Sequence, residues 1–383
     1  MLLSKIKTFF SKVDKEKDIL SNQDWTYLHE KIRGLSYNQK VTKLYSTLER
    51  EILQSIRSQV RLWNENNVTR TDAYFRYFQK HPEIHWSFLA HMVSRNGGYH
   101  MTDLKSRSYR YALEAEEQKQ IFSMLETANH LIFQDAYSQL LLYEIWKERG
   151  KNFFHLMPHL SVSPFMQEVW DFFIKNKNAE VLTVALIINE QMMLEARLIP
   201  TKIFKHAKST FPFQVQEFLA TTYILFPTRK KQLHGLPVQH FEMVTQRIET
   251  GKKLYSLLWD HKRNHKQFVS FASKVQHTSS REDYWPNIYT TTPLERKKIH
   301  SPNLEQAWEN MSPLIQSKKT WVCRKAQLDL LKSRPVLREH NCTLEVCTSL
   351  LGMTSVNQLL GLLTGRQRAK MVKLKDDFSS YFS

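Results

Sequence analysis

A chain of 383 residues, 42% hydrophobic with 22 Phe, 15 Tyr and 9 Trp, has enough apolar surface to bury a large core, which excludes a disordered polymer. Its 9 glycines fall well below the average usage of roughly 7%, and no GxGxxG or Walker-type loop is present. Kinase and Rossmann-type dehydrogenase readings therefore lose their support. The net charge of +18 admits nucleic acid or an anionic lipid surface as a partner without requiring either, since basic solvated faces are common. The basic excess gathers around Arg229, Lys230, Lys231, Lys252, Lys253, Lys262, Arg263 and Lys266. Three cysteines, Cys323, Cys342 and Cys347, suit a reducing compartment, and no run of about 18 apolar residues suggests a transmembrane helix. A cytoplasmic location is expected, with peripheral membrane contact as an added option.

That option comes from the first residues. Stepped as a helix, Leu2, Leu3, Ile6, Phe9, Phe10 and Val13 share an arc of about 120°, with Lys5, Lys7 and Lys12 outside it. The pattern serves a membrane-surface anchor or a helix docking on its own core. Apolar residues from Tyr37 to Trp63 predict a long helix that ends in the polar loop Asn64 to Asn67, after which Thr69 or Thr71 caps the next helix. That helix carries Tyr74, Phe75 and Phe78 and stops before Pro82, where a third is expected to begin.

Three segments, Ile84 to Arg95, Leu131 to Tyr143 and Val181 to Leu198, are apolar on almost every side and should form central helices. Each carries polar residues in its middle, which need partners when buried. Thr228 to Pro237 and Gln276 to Pro302 lose periodicity and read as exposed connections. The expected fold is all-α, an irregular multi-helix bundle whose central apolar helices carry polar stripes. Its expected parts are an amphipathic segment over 1–20, a main helical domain over 21–300 and a smaller helical region over 301–383.

The stretches His81-Pro82-Glu83-Ile84-His85-Trp86, Leu89 to Gly98 and Met101-Thr102-Asp103-Leu104 carry a family resemblance. Further stretches agree: Asn67 to Thr71, Leu131 to Tyr137, Ala185 to Gln191, Ile248 to Lys252 and His277 to Trp285. Together they resemble the uncharacterised YppC-like family, a domain of unknown function, over roughly residues 40–310. The resemblance implies no activity and no catalytic residue. Ser279 stands where it implies a glycine, so whatever turn that glycine would make is at stake there.

On a helix from Ile84, the residues Ser87, His91, Ser94 and Arg95 form one stripe. His91 then reads as an acid/base or ligand group with Arg95 binding an anion, or both belong to a buried network that sets helix register. Asn96-Gly97-Gly98 reads as a helix stop, with Thr102 capping another helix. On the second helix, His130 and Gln134 share one face and Asp135 and Gln139 another, and Arg95 is a candidate partner for Asp135. On the third, Thr183, Glu190 and Arg197 align, with Asn189 beside Glu190. His277 and Arg281 sit in a polar loop that enters a short helix, either lining an anion pocket or forming an exposed helix start.

Metal readings are weak. Pro158 separates His155 from His159, no Glu-x-x-His pair occurs, and Cys323, His340, Cys342 and Cys347 lack the intervals of a known zinc finger, so no metal site is assigned. No cofactor is indicated. The leading expectation is a helical binding or scaffold protein whose partner is an anionic lipid surface or another protein. One alternative is a hydrolase- or lyase-type enzyme with His91, Arg95, Asp135 and Glu190 around one cavity and Asn96, Gln134, Asn189, His277 and Arg281 as neighbours. A nucleic-acid-binding protein is the other.

Overall fold

The computed structural model describes residues 15–35, 46–106, 109, 113–209, 223–230, 232–238, 242–295, 297–308, 328–337 and 342–343. The segment Met1 to Val13, whose sequence pattern admits a membrane-surface face, and Cys323, His340 and Cys347 lie outside them. The fold is all-α, a multi-helix bundle with small strand pairs. In chain order come β1 (Lys15–Asp18), α1 (Asn22–Arg33), α2 (Thr47–Trp63), α3 (Asn67–Lys80), α4 (His85–Asp103) and α5 (Ala115–Arg149). A 3-10 helix, Phe154–Leu160, leads to α6 (Phe165–Asn176), α7 (Ala179–Arg197) and α8 (Lys202–Ser209). Then follow β2 (Tyr223–Pro227), β3 (Leu233–Pro237), α9 (Val244–Trp259), α10 (Lys262–Lys274), β4 (Tyr289–Thr290), β5 (Ile299–His300), α11 (Leu304–Ala307) and β6 (Ser333–Val336). Among the described residues no helix is long and apolar enough to cross a membrane.

The three helices expected to be central are α4, α5 and α7, and each buries residues on all sides. In α7 every residue from Val181 to Asn189 is buried. The longest, α5, has 35 residues and so runs about 53 Å at 1.5 Å per residue. It ends at Gly150, whose φ of 66° is the left-handed C-terminal conformation that glycine accepts without strain.

Several local expectations are corrected. The cap of α3 is Asn66 rather than Thr69 or Thr71: its side chain accepts from the backbone N–H of Val68 and Thr69, and Thr69 Oγ1 accepts from the Asn66 N–H in return. Pro82 lies in the turn before α4, which begins at His85. Asn96-Gly97-Gly98 does not stop α4. The Asn96 amide is engaged sideways, donating to the Leu225 carbonyl at 2.9 Å and accepting from the Leu225 N–H at 2.8 Å, so it docks β2 and leaves no cap for the helix end. Gly98 serves close approach: a Cβ there would press on Asn67 and Ser279 and lie 2.9 Å from His277 Nε2.

The two stretches read as exposed connections are also internal in part, while Arg229, Lys230, Gln232 and residues 292–295 are exposed. Residues 233–237 form β3, antiparallel to β2, with Leu233 and His234 buried. In the later stretch His277, Ser279, Ser280, Thr290 and Ser301 are buried, because their polar groups find partners on the helices and on one another. Ser301, where a boundary was expected, donates from its hydroxyl to Asp103 at 3.0 Å, and β6 pairs with β1. Lys252 leaves the expected basic surface: it is buried and paired with Glu249 at 2.8 Å, while Lys262, Arg263 and Lys266 are exposed.

The two adjacent glycines of α4 should separate cleanly on substitution. Gly98→Ala is expected to lower stability by roughly 1–3 kcal/mol through overpacking. Gly97→Ala, whose Cβ would meet only the Asn129 amide at 3.3–3.4 Å, should be near neutral, offset by the helix preference of alanine. Urea midpoints of both variants decide this; equal values contradict the close approach at Gly98.

Candidate functional site: an apolar cavity with a partly buried carboxyl

A cavity of about 330 Å³ lies between α3, α4, α5, α7 and α9, within the range of roughly 300–1,000 Å³ typical of small-molecule sites. Leu89, Val93, Gly97 and His100 of α4, with Leu104 at its C-terminal cap, face it at helical spacing, as do Ile121, Leu125, Ala128 and Ile132 of α5. Ile187, Glu190 and Leu194 of α7 and Arg247, Thr250, Gly251 and Leu254 of α9 complete much of the wall. Small residues explain the space. Ala90, Gly97 and Ala128 give the lining little side-chain volume, while Gly251 lets α9 close on α7, since a Cβ there would lie 2.7 Å from Ile187 Cγ2.

Few polar groups reach this space, and they are ordered. The Gln191 amide oxygen accepts from Arg247 Nε at 2.9 Å, which turns its NH2 toward Glu190 Oε1 at 3.2 Å. Arg247 also donates to Glu195 at 2.7 Å, so the chain Glu195, Arg247, Gln191, Glu190 ends on the cavity carboxyl. The Trp86 indole also hydrogen-bonds to Glu190. Burial away from water raises the Glu190 pKa to about 8, and nearby Asp135 adds to the rise. His100, on the same wall, is held down to about 4 by burial and by the adjacent Arg281 guanidinium. It is neutral at pH 7.

The residues singled out in the sequence fall into separate groups. Asn96 and Glu190 line the cavity. His91 and Arg95 lie on the other side of α4. His91 Nδ1 donates to the Thr71 carbonyl at 2.8 Å and its pKa is lowered by burial and by Arg95. Arg95 is fully buried over the Phe271 ring, donating to the carbonyls of Val275 and Gln276 and to Tyr99, with Asp283 at 3.8 Å. Arg95 is therefore not the partner of Asp135. Neutral amides hold Asp135 instead: Gln139 donates at 2.8 Å and Asn189 also donates, and burial raises its pKa to about 7. Gln134 is exposed. Arg281 pairs with Asp103. Cys342 donates to the Leu233 carbonyl at 3.3 Å, and among the described residues no three His, Cys, Asp or Glu side chains group to hold a metal.

One arrangement resembles a nucleophile, base and acid. Ser279 Oγ lies 3.2 Å from His277 Nε2, and Asp283 lies 3.6 Å from His277 Nδ1. Asn67 determines how it works. Its NH2 donates to the Ser94 carbonyl at 3.0 Å, so its oxygen faces His277 Nε2 at 2.7 Å and Ser279 Oγ at 3.1 Å. An amide oxygen has no proton to give, so Nε2 carries the hydrogen and cannot take one from Ser279. None of Ser279, His277 and Asp283 lines the cavity. The three residues act as a structural lock, and Ser279 makes the left-handed turn itself, at φ 67°.

Gln191, Arg247, Trp86 and His100 went unnoticed in the sequence as site residues. The Thr250-Gly251 pair inside an otherwise large-residue helix was the available signal, because it marks where α9 must come close.

Stability should peak near neutral pH. His85, His100, His130 and His277 are held at about 4, mainly by burial, so the folded chain binds fewer protons than the unfolded one and stability is lost as pH falls from about 6.5 toward 4. Asp135 and Glu190, raised to about 7 and about 8, contribute fully below about pH 4 and lose that contribution as pH rises through those values. The histidines outweigh the carboxyls on the acid side. A thermal melting series should show the highest Tm near pH 6.5, with Glu190→Gln reducing the alkaline fall; a wild-type Tm still climbing to about pH 9 contradicts the assignment.

Residues 63–335 match the model of the family described as "Protein of unknown function (DUF2515)". The chain is 38% identical over 272 residues to a protein of Bacillus subtilis (strain 168) described as "Uncharacterized protein YppC", covering 71% of this chain and 83% of that one. No solved structure matches. The matched span includes the cavity and the Asn67 network, and on both findings the chain belongs to this DUF2515 family of unknown function.

Proposed function

We propose that this protein binds a small, largely apolar molecule in the cavity between α4, α5, α7 and α9. The observation that carries the reading is the cavity itself: about 330 Å³, walled mainly by aliphatic side chains, with one partly buried carboxyl oriented by Gln191 and Arg247. Apolar walls supply affinity at roughly 25 cal/mol per Å² of surface removed from water, and a single oriented polar group sets which way the ligand lies. An acid/base mechanism has less support, because His91, Arg95 and His277 are committed to a network away from this space.

A location at a membrane surface suits the same reading, since an apolar ligand partitions into lipid. The apolar arc of Leu2, Leu3, Ile6, Phe9 and Phe10 with its flanking lysines, and the exposed Lys262, Arg263 and Lys266, support contact with anionic lipid. A cytoplasmic placement accords with the small number of cysteines.

Two measurements test these points. The uncharged fluorophore N-phenyl-1-naphthylamine should bind saturably with one site per chain, and Ala128→Trp, which fills the cavity, should weaken binding about tenfold or more. Absence of saturable binding, or an unchanged affinity in a folded Ala128→Trp variant, sinks the ligand reading. Full-length protein should co-sediment with anionic vesicles at low salt, and deletion of Met1 to Val13 should abolish it; no sedimentation of the intact chain removes the membrane part.

A further inference from the structure

Resting on the cavity-binding reading, we infer that the occupant is an uncharged amphiphile of about 12–17 heavy atoms whose one hydroxyl or carbonyl oxygen meets the Glu190 carboxyl while its hydrocarbon part lies between α4 and α5. The size follows from volume. A cavity of about 150 Å³ accommodates benzene, and the space here, about 330 Å³, is roughly double that.

The headgroup follows from how the wall disposes of its charges. Arg247 carries the positive charge there, and it is matched by Glu195 at 2.7 Å. His100 lies between the Arg281 guanidinium, 3.3 Å from Nδ1, and the Tyr223 carbonyl, 3.4 Å from Nε2, so it offers a ligand no added proton. Glu190 accepts from two neutral donors, Gln191 and Trp86, and among the described residues it makes no ion pair. A ligand carboxylate entering here would be desolvated with every cation already matched. A ligand ammonium would have to ionise Glu190 one amide away from the Arg247 guanidinium. The carboxylate loses its hydration without a compensating partner, and the ammonium gains one only after Glu190 gives up the proton that burial holds on it.

A neutral oxygen avoids either penalty. At pH 7 the raised pKa of Glu190 keeps its proton in place, which makes the carboxyl a hydrogen-bond donor as well as an acceptor. The Arg247 to Gln191 bond fixes the amide so that Gln191 donates to Glu190 Oε1 and leaves the carboxyl proton for the other oxygen. A hydroxyl or carbonyl then completes the group, so that an apolar ligand buries its oxygen there without leaving it unsatisfied.

The test is displacement of N-phenyl-1-naphthylamine from the full chain by 1-dodecanol, dodecanoate and dodecylammonium, at about pH 7 and about pH 9. Dodecanol is expected to bind about tenfold or more tightly than either charged analogue at the lower pH, and to weaken at the higher pH as Glu190 ionises. Glu190→Gln, which still donates and accepts, should retain dodecanol binding and lose its pH dependence; Glu190→Leu should lose the binding, with circular dichroism confirming that each variant folds. Equal or tighter binding of dodecanoate or dodecylammonium overturns the inference while leaving cavity binding intact, as does an unaltered pH dependence in Glu190→Gln. Failure of the reporter itself to bind wild-type protein overturns the cavity reading and this one together.

Discussion

The buried amide of Asn67 is the constraint on which much of the architecture turns. It sits in the first turn of α3, donates to the backbone and hydroxyl of Ser94 on α4, and accepts from His277 and Ser279 in the loop that follows α10. Three segments distant in sequence thus meet at one fully satisfied group, and Gly98 is the residue whose missing side chain gives them room. A buried network of this kind rigidifies because any partial loss leaves an unsatisfied polar group in a low-dielectric interior. Its arrangement also defines its chemistry: the amide oxygen obliges His277 to keep its proton on Nε2, which removes the base that Ser279 would need.

The same helix, α4, presents opposite characters on its two sides. Toward α3 and the loop it carries His91 and Arg95, both committed to carbonyl, hydroxyl or carboxylate partners. Toward α5 and α7 it carries Leu89, Val93 and Gly97, and here the walls stand apart. Close packing leaves few voids larger than a water molecule in most interiors, so a space of about 330 Å³ lined at helical spacing on four helices is a feature of the site and not a packing defect. Rigidity on one side of the helix and space on the other accord with the ligand binding proposed above.

Much of this was legible in the residue pattern. All-round apolar character identified α4, α5 and α7 as central, since a helix with no polar face has nowhere to lie except the interior. Polar residues within them, Glu190, Asp135, His91 and Arg95, were recognisable as requiring partners, because burial without them is costly. Which partner each one found was not legible. Asp135 meets amides of its own helix and of α7 rather than Arg95, and Arg95 meets backbone carbonyls 180 residues away or more. Glycines misled for a related reason: Gly97 and Gly98 resemble a helix stop in one dimension, and only a neighbouring chain in three dimensions shows that Gly98 provides clearance.

The sequence alone determined the helical class, the central helices and the need for internal polar pairing, because these follow from local periodicity and from the cost of burying an unpaired group. Tertiary structure alone decided that Glu190 faces a cavity while His91 and Arg95 turn away from it. Their separation depends on rotations and crossings of packed helices, and residues nearly a hundred positions apart carry no local signal of whether they share a face of the interior.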